Sequence, residues 1–314
     1  MDYLNDFALL MNAYKKAGGN PNFMKNKNTA FLFVKENKIL SMNPVEGLVV
    51  DAKQTKNGVD VKMTVLKGVH LKNPIHLCFG IIPKSGIQMI KMRAYLQENS
   101  SAEILAHCTF PNAVKVKHLM DGEFHIGKGA SLTYNETHFH GTFGGIEVVP
   151  KIKVFVGEKA SFNTLFSLVI GRVGKLDINY HADCGKDSIV EMNAKVFGKS
   201  NDKIKIREEA ILSGRNARSV IKTRAGIKDN ATSEVYNVTE GNAPYVRGHV
   251  DCIEIVSGNA KAKATPIVSV SDETARVTHE AAIGSVDKKQ LETLLSHGLS
   301  RKEAVDAIIK GMLR

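Results

Sequence analysis

From about residue 100 onward, apolar and polar residues alternate in short runs, which predicts β-strands with one buried face and one solvated face. The runs begin at turns that combine Gly or Asp with a small residue, as in residues 127–134, 157–166, 174–183 and 185–198. The turn glycines lie mostly 11 to 17 residues apart, which is too short for tetratricopeptide or ankyrin repeats. The pattern is typical of an all-β barrel, a sandwich or a β-solenoid.

The residues at the turns and in the core favour the solenoid. Equivalent turns of stacked coils can repeat small residues, and the sequence offers Ala130, Ala160, Ala217, Ala231 and Ala275 for such positions. The 314 residues include no Trp and only 6% aromatic residues, which is low for a sandwich or barrel. A solenoid can instead fill its core with stacked Val, Ile and Ala.

The two ends of the chain have other patterns. Residues 3–17 predict an amphipathic helix that packs on its own domain, with apolar positions at Leu4, Phe7, Ala8, Met11 and Tyr14. Residues 30–95 mix short strands with turns and predict a small α+β region. Residues 286–314 return to a helical period, with Asp287 expected to cap one helix and Ser300 the next.

Composition excludes several classes of function. The net charge is +11, but the Lys and Arg residues are scattered singly, which favours a basic background or a face for an acidic partner subunit over nucleic-acid binding.

None of the four cysteines forms a CxxC pair, so a zinc ribbon or thioredoxin site is not expected. No run approaches the roughly 20 apolar residues of a membrane span, and no signal pattern opens the chain. We therefore expect a cytoplasmic protein with reduced thiols.

A first candidate site lies in the run TYNETHFHG. Glu136, His138 and His140 occupy alternate positions, so a strand would place them on one face. The same group of candidates begins at His107 and Cys108 and continues through His118 and His125. Carboxylate and imidazole groups on one face are plausible metal ligands. Polar residues paired along the surface of a solenoid are the alternative interpretation.

A second candidate site lies in residues 247–284. Alternation places Cys252 on one face of its strand and His249 and Asp251 on the other. With Ile253, Ile255, Val277 and Ile283 taken as core positions, Cys252 and Glu280 are expected to project outward on neighbouring coils. Thiolate, imidazole and carboxylate are ligand types for soft and borderline metals and for iron–sulfur clusters. The chain has no GxxxxGK[ST] motif, so we expect no nucleotide to bind to it.

These segments resemble the SufB/SufD family of iron–sulfur cluster assembly scaffolds over about residues 95–314. The resemblance is carried by ATPIVSV around Pro266, by residues 277–304 and by the HC…ETHFHG region, which is similar to that of the short archaeal and bacterial members. It implies a right-handed parallel β-helix over residues 96–284, after an N-terminal region of residues 1–95. It also implies dimers formed through the β-helices, with the cluster at their interface.

The resemblance assigns residues unevenly. His279 and Glu280 fall on the family's His-Glu pair, whereas the SufB cysteine falls at Val250 and this chain has Cys252 two positions later. Two steps along a strand keep the same face, so the thiol can have moved along one ladder. The chain is shorter than typical SufB and lacks a CxxC motif near its N-terminus, which indicates a reduced scaffold that forms homodimers.

The resemblance thus implies a cluster-assembly scaffold rather than an enzyme, working with a separate SufC-like ATPase of the ABC type. Cys252, His279 and Glu280 are the expected ligands of the transient iron–sulfur cluster or its iron, with His249 and Asp251 in support. Residues 285–314 are the expected ATPase dock, through Leu291, Leu294, Leu295, Leu299, Ala304 and Ile308. A carbohydrate-active β-helix enzyme and a purely structural activator of the ATPase are the alternatives.

Overall fold

The computed structural model describes residues 3–314, and the side chains from Asn5 onward. Three α-helices flank a series of strands, and a 3₁₀ turn lies at Pro21–Lys25. The helices are α1 (Tyr3–Lys16), α2 (Lys288–Ser296) and α3 (Arg301–Met312). The strands are β1 (Phe31–Lys35), β2 (Lys38–Asn43), β3 (Leu48–Thr55), β4 (Gly58–Val65), β5 (Ile75–Gly80), β6 (Ser85–Leu96), β7 (Ser101–Phe110), β8 (Lys115–Ile126), β9 (Ser131–His140), β10 (Ile146–Val156), β11 (Ser161–Ile170), β12 (Gly174–Cys184), β13 (Ile189–Gly198), β14 (Lys203–Leu212), β15 (Arg218–Asp229), β16 (Thr232–Gly241), β17 (Arg247–Gly258), β18 (Lys261–Val270) and β19 (Arg276–Ser285).

From β4 onward, successive strands alternate between two sheets, so the chain winds as a parallel β-helix. One sheet has the order β19-β17-β15-β13-β11-β9-β7-β5-β1-β2, and the other β18-β16-β14-β12-β10-β8-β6-β4-β3. Val116 pairs with Ile146, and Ile146 pairs with Gly174, so one coil takes 30 and then 28 residues. Two strands make one coil, which explains why the turn glycines recur at half that spacing. The predicted solenoid is confirmed, and parallel pairing already joins β1 to β5 and β4 to β6.

One turn of each coil has a fixed backbone conformation. A residue with φ near +60° recurs once a coil, at Asn99, Gly129, Lys159, Asp187, Asn216 and Tyr245. Most of these are Asn, Asp or Gly, the residue types that tolerate the left-handed region best. A small side chain often follows, as predicted for Ala130, Ala160 and Ala217. Ala275 occupies the corresponding place in the last coil, next to Arg276, which pairs with Arg247. Ala231 follows Asn230 instead, in the turn on the opposite side of the coil.

The terminal helices cover parts of the outer surface. α1 buries Leu10 and Tyr14 against Phe33 and Cys78, as the sequence predicts for a helix that packs on its own domain. α3 lies against β13 and β15, where Ile309 contacts Phe197. No helix within residues 3–314 is long and apolar enough to cross a membrane.

Both predicted helix caps at the C-terminal end are confirmed. The Asp287 carboxylate accepts the backbone N–H of Gln290 at 2.7 Å. Ser300 and Glu303 form a reciprocal capping box at the start of α3. These caps satisfy backbone donors that the first turn of a helix leaves without partners, so each helix begins at a defined residue.

Candidate functional site

The last coil of the β-helix places the second candidate site at an open end. β17 pairs with β19 in parallel, with Val250 opposite His279 and Asp251 opposite Glu280. β18 and β19 are the last strands of their sheets among the described residues. Side chains of β19 are therefore largely exposed, including those that face the direction of the helix interior.

The expected outward direction of Cys252 is wrong. Cys252 stacks on Thr223 of the preceding coil and is only 1% exposed. Ile253 and Ile255, taken as core positions, lie instead on the outer face and are half-buried. Ile255 is apolar because α2 and α3 cover the sheet at that point, so its hydrophobicity does not mark the interior.

The register also changes which candidate residues lie together. Val250 is buried inside the coil, so His279, its partner across the ladder, lies on the inner face. Cys252 shares this face, two positions along the neighbouring strand. Glu280 pairs with Asp251 and therefore lies on the outer face. The structure brings Cys252 and His279 onto one face and separates them from Glu280.

The two supporting residues already have partners on the outer face. The Asp251 carboxylate forms a two-pronged ion pair with the Arg224 guanidinium, with Oδ1 at 3.0 Å from Nη1. His249 Nδ1 lies 2.8 Å from the hydroxyl of Thr278 on β19. Both contacts hold side chains of β17 in fixed positions beside the edge strand.

Buried polar residues near Cys252, inside the coil, were not predicted from the sequence. Glu208 accepts hydrogen bonds from Thr223 at 3.2 Å and from the Asn237 amide at 3.3 Å, and Glu254 accepts one from Ser233. Each carboxyl keeps one oxygen without a hydrogen-bond partner among the described residues. The available signal was a polar residue at an inward position of an alternating strand.

Burial shifts the pKa values of the ionisable side chains around Cys252. It raises the pKa of Glu208 to about 8 and also raises that of Glu254. Burial, with the nearby carboxyls of Glu254 and Glu208, raises the pKa of the Cys252 thiol to about 12. The thiol is therefore protonated in the isolated chain at neutral pH, and metal binding would have to displace its proton.

The expected docking residues fall into two groups. Leu291 and Ala304 are buried in the cluster that joins α2 and α3 to the β-helix. Leu294, Leu299 and Ile308 are half-buried, and Leu295 is 37% exposed. A groove of about 910 Å³ between the helices and β17 is lined by Ile255, Leu294, Ile308 and Met312, among others.

The first candidate site lies inside the β-helix rather than on its surface. Glu136, His138 and His140 are each at most 2% exposed. They project inward from β9, and Cys108 projects inward from β7 in register with His138. The alternative of a polar ladder on the solenoid surface is therefore wrong for these residues.

Comparisons with known proteins agree with the family resemblance of residues 95–314. Residues 84–312 match the family model described as "SUF system FeS cluster assembly, SufBD core domain". An iron-sulfur cluster assembly SufBD family protein of Methanocaldococcus jannaschii is 43% identical over 90% of this chain and 89% of its own length. One from Pyrococcus horikoshii is 31% identical over 100% of this chain and 95% of its own length. The chain therefore belongs to the SufBD family of iron–sulfur cluster assembly proteins.

Proposed function

We propose that this chain is a non-catalytic scaffold on which a transient iron–sulfur cluster is assembled at the last coil of the β-helix. Cys252 and His279 supply sulfur and nitrogen ligands, and Glu280 holds incoming iron. His249 and Asp251 support β17 and β19 from the outer face. The family supports a part in cluster assembly, and the placement of Cys252 and His279 on one face supports this choice of ligands.

The geometry of this pair carries the proposal. Adjacent strands lie about 4.8 Å apart and each residue rises about 3.3 Å, so the two Cα atoms are about 8 Å apart. Both side chains lie on one face, and at that distance they can ligate a common iron or two irons of one cluster. Glu280 is an exposed carboxylate, a hard and exchangeable ligand for ferrous iron.

A second copy of the chain completes the site. The outer edges of β18 and β19 present backbone donors and acceptors, and natural proteins cover or pair such edges. Ile267, Val270 and Ile283 on these strands are 41%, 53% and 45% exposed. A homodimer joined through this coil would bury these side chains and bring two copies of His279 together above two Cys252 thiols.

An ABC-type ATPase of the SufC kind is the proposed partner at α2 and α3. The groove beside Leu294 and Ile308 offers an apolar surface, and Leu295 adds an exposed leucine nearby. The ATPase binds the nucleotide, and its conformational change would open the interior around Cys252. We place this assembly in the cytoplasm, where reduced thiols persist.

Anaerobic reconstitution with ferrous iron and sulfide tests the ligands. Cys252→Ser and His279→Ala should each lower cluster yield, measured as protein-bound iron and sulfide and as visible absorbance. Cys184→Ser changes an equally buried thiol, and His70→Ala changes an exposed histidine that contacts Ser101, so both should keep the wild-type yield. Wild-type yield from both site variants would refute the assignment. Wild-type protein that stimulates the ATPase but never holds a cluster would be a structural activator.

A further inference from the structure

Three consecutive strands contribute a second group of residues that can bind metals, far from the last coil. Cys108 of β7, His118 of β8, and Glu136 and His138 of β9 are each at most 2% exposed. One ligand atom from each lies within 4.8 Å of those from the other three. Five strand-to-strand steps of about 4.8 Å separate β7 from β17, so this group is about 24 Å from Cys252.

His118 presents an unprotonated nitrogen to this group. Its Nδ1 lies 3.1 Å from Oε1 of Gln88, whose amide nitrogen donates to the carbonyl of Glu36 at 2.7 Å. Because Oε1 can only accept, Nδ1 carries the proton. Burial lowers the pKa of His118 to about 3, so the ring is neutral. Its Nε2 lone pair is buried and has no hydrogen-bond partner among the described residues.

His138 is oriented in the same way by His140. His140 Nδ1 lies 3.2 Å from the carbonyl oxygen of Arg172 and must donate to it. Burial lowers the pKa of His140 well below its ordinary value, so its Nε2 accepts a hydrogen bond from His138 Nδ1 at 3.1 Å. His138 Nε2 then faces Glu136 Oε1 at 2.6 Å, a contact that needs a proton or a cation between the two atoms.

Glu136 is held as a carboxylate with one oxygen turned toward the group. The hydroxyls of Tyr134 and Tyr180 donate to Oε2 at 3.1 and 3.0 Å, so Oε1 faces His138 and the Cys108 sulfur, 4.0 Å away. Burial alone would raise the pKa of Glu136, but hydrogen bonds, first that from His138, bring it below its ordinary value.

We propose that this interior site binds one divalent transition-metal ion of the borderline class, zinc(II) or iron(II). The ligands are Cys108 Sγ, His118 Nε2, Glu136 Oε1 and His138 Nε2. Binding releases the thiol proton and the proton between His138 and Glu136. One thiolate and one carboxylate then balance the charge of the ion, which a buried site requires.

The ligand set explains the choice of metal and the role of the site. Sulfur and imidazole ligands suit zinc(II), iron(II) and cobalt(II) and disfavour magnesium and calcium. Four protein ligands leave no open position, as in structural rather than catalytic sites. Hydrogen bonds from the outer ring nitrogens of His118 and His138 fix their tautomers, as around metal-bound histidines generally. The ion would tie together the coils formed by β7, β8 and β9.

Metal analysis of the full-length chain tests this proposal. The purified protein, and protein refolded with zinc(II), iron(II) or cobalt(II), should hold about one equivalent per chain, and competition between zinc and iron identifies the preferred ion. The cobalt form should show tetrahedral d–d bands and a thiolate-to-cobalt charge-transfer band. Cys108→Ser should lose the charge-transfer band, and His118→Asn should lose the ion. Cys184→Ser, with an equally buried thiol, should behave as wild type.

Two further measurements keep the proposal falsifiable if a variant fails to fold. X-ray absorption of the wild-type zinc form should show one sulfur and three nitrogen or oxygen neighbours. His140→Ala leaves the ligands in place and should weaken the affinity by about 10- to 100-fold. Absence of metal from protein refolded in its presence, a ligand shell without sulfur, or an unchanged cobalt spectrum in Cys108→Ser would overturn the assignment. Each of these outcomes is independent of cluster assembly at Cys252.

Discussion

Gly226 of β15 and Ile309 of α3 are in such close contact that a methyl group on Gly226 would lie 2.0 Å from Ile309 Cγ2. The same methyl group would be 3.5 Å from the Phe197 ring. No side chain larger than hydrogen fits here without a shift of the Ile309 side chain or of the helix that carries it. The position of α3, and with it the groove proposed for the ATPase, therefore depends on this glycine.

Gly226→Ala should push α3 away from the β-helix and lower the free energy of unfolding by about 1–3 kcal/mol, as overpacking of cores does. Urea denaturation followed by circular dichroism measures the change. Gly311→Ala is the control, because an added methyl group there meets no described atom within 4 Å and alanine favours a helix. Equal stability of Gly226→Ala and wild type would show that the helix adjusts at no cost.

Docking of the ATPase should depend on the groove rather than on the charge of the helices. Leu294→Glu or Ile308→Glu places a carboxylate in the apolar lining and should abolish capture of the ATPase in a pull-down. Lys310→Glu introduces the same carboxylate at an exposed position of α3 and should retain binding. Loss of binding in all three variants would indicate a general charge effect instead.

Dimer formation should depend on apolar residues of the last coil. Ile283→Lys and Val270→Lys add charge to the exposed edge and should shift the sedimentation of the protein toward the monomer. Ile189→Lys alters a residue that is as exposed as Val270, at 53%, but lies in the middle of the β-helix, and it should leave the dimer intact. A wild-type protein that sediments as a monomer at micromolar concentration would contradict the proposed homodimer.

The stability of the protein should fall as the pH rises through the neutral range because of Glu208. Burial raises the pKa of this carboxyl from 4.5 to about 8, so between these pH values the folded state binds one more proton than the unfolded state. The contribution of this group is complete below about pH 4.5, is lost as the pH rises to about 8 and is constant above. The free energy of unfolding falls by on the order of a few kcal/mol as this contribution is lost.

Glu208→Gln cannot ionise and should remove this component of the pH dependence, giving a flatter curve of unfolding free energy against pH. Glu234→Gln, which changes an exposed glutamate of the adjacent strand β16, should keep the wild-type slope. An unchanged slope in Glu208→Gln would show that this carboxyl is already ionised in the folded protein at neutral pH.

The thiols should be unreactive in the folded chain. Cys78, Cys108, Cys184 and Cys252 are all buried, and burial raises the pKa of each. Ellman's reagent should therefore react slowly at neutral pH and reach all four thiols only in denaturant. In the complex with the ATPase and nucleotide, labelling of Cys252 should accelerate if the interior opens for cluster assembly. Rapid labelling of Cys252 in the isolated chain would contradict its buried position.

Features that depend on local chemistry were predictable from the sequence. Asp287 and Ser300 cap their helices because a cap needs only a side-chain oxygen near the first turn. The turn alanines Ala130 and Ala160 mark equivalent positions because every coil repeats the same backbone turn. To predict the register of β17 against β19, one must know how many residues the coil between them takes, and the sequence pattern alone does not give that number.

The direction of Cys252 was not predictable because both faces of β17 carry apolar residues. Ile255 packs under the C-terminal helices, and Val250 packs inside the coil, so hydrophobicity does not distinguish the two faces. The burial of polar residues inside the coil was also not predictable from the sequence. Glu136 and Glu208 are acidic residues whose burial is offset by hydrogen bonds from residues that are distant in the sequence.

The open last coil also determines how rigidity is distributed along the molecule. In a stack of coils each unit is stabilised mainly by its immediate neighbours. An inner coil has two neighbours, whereas the coil that carries His279 has a neighbour on one side only. Fraying is therefore easier at this end than in the inner coils, and backbone amides of β18 and β19 exchange with solvent sooner than those of β11 and β13. His279 and Glu280 thus lie in a deformable end coil, whereas Cys252 lies on β17, which strands on both sides keep rigid.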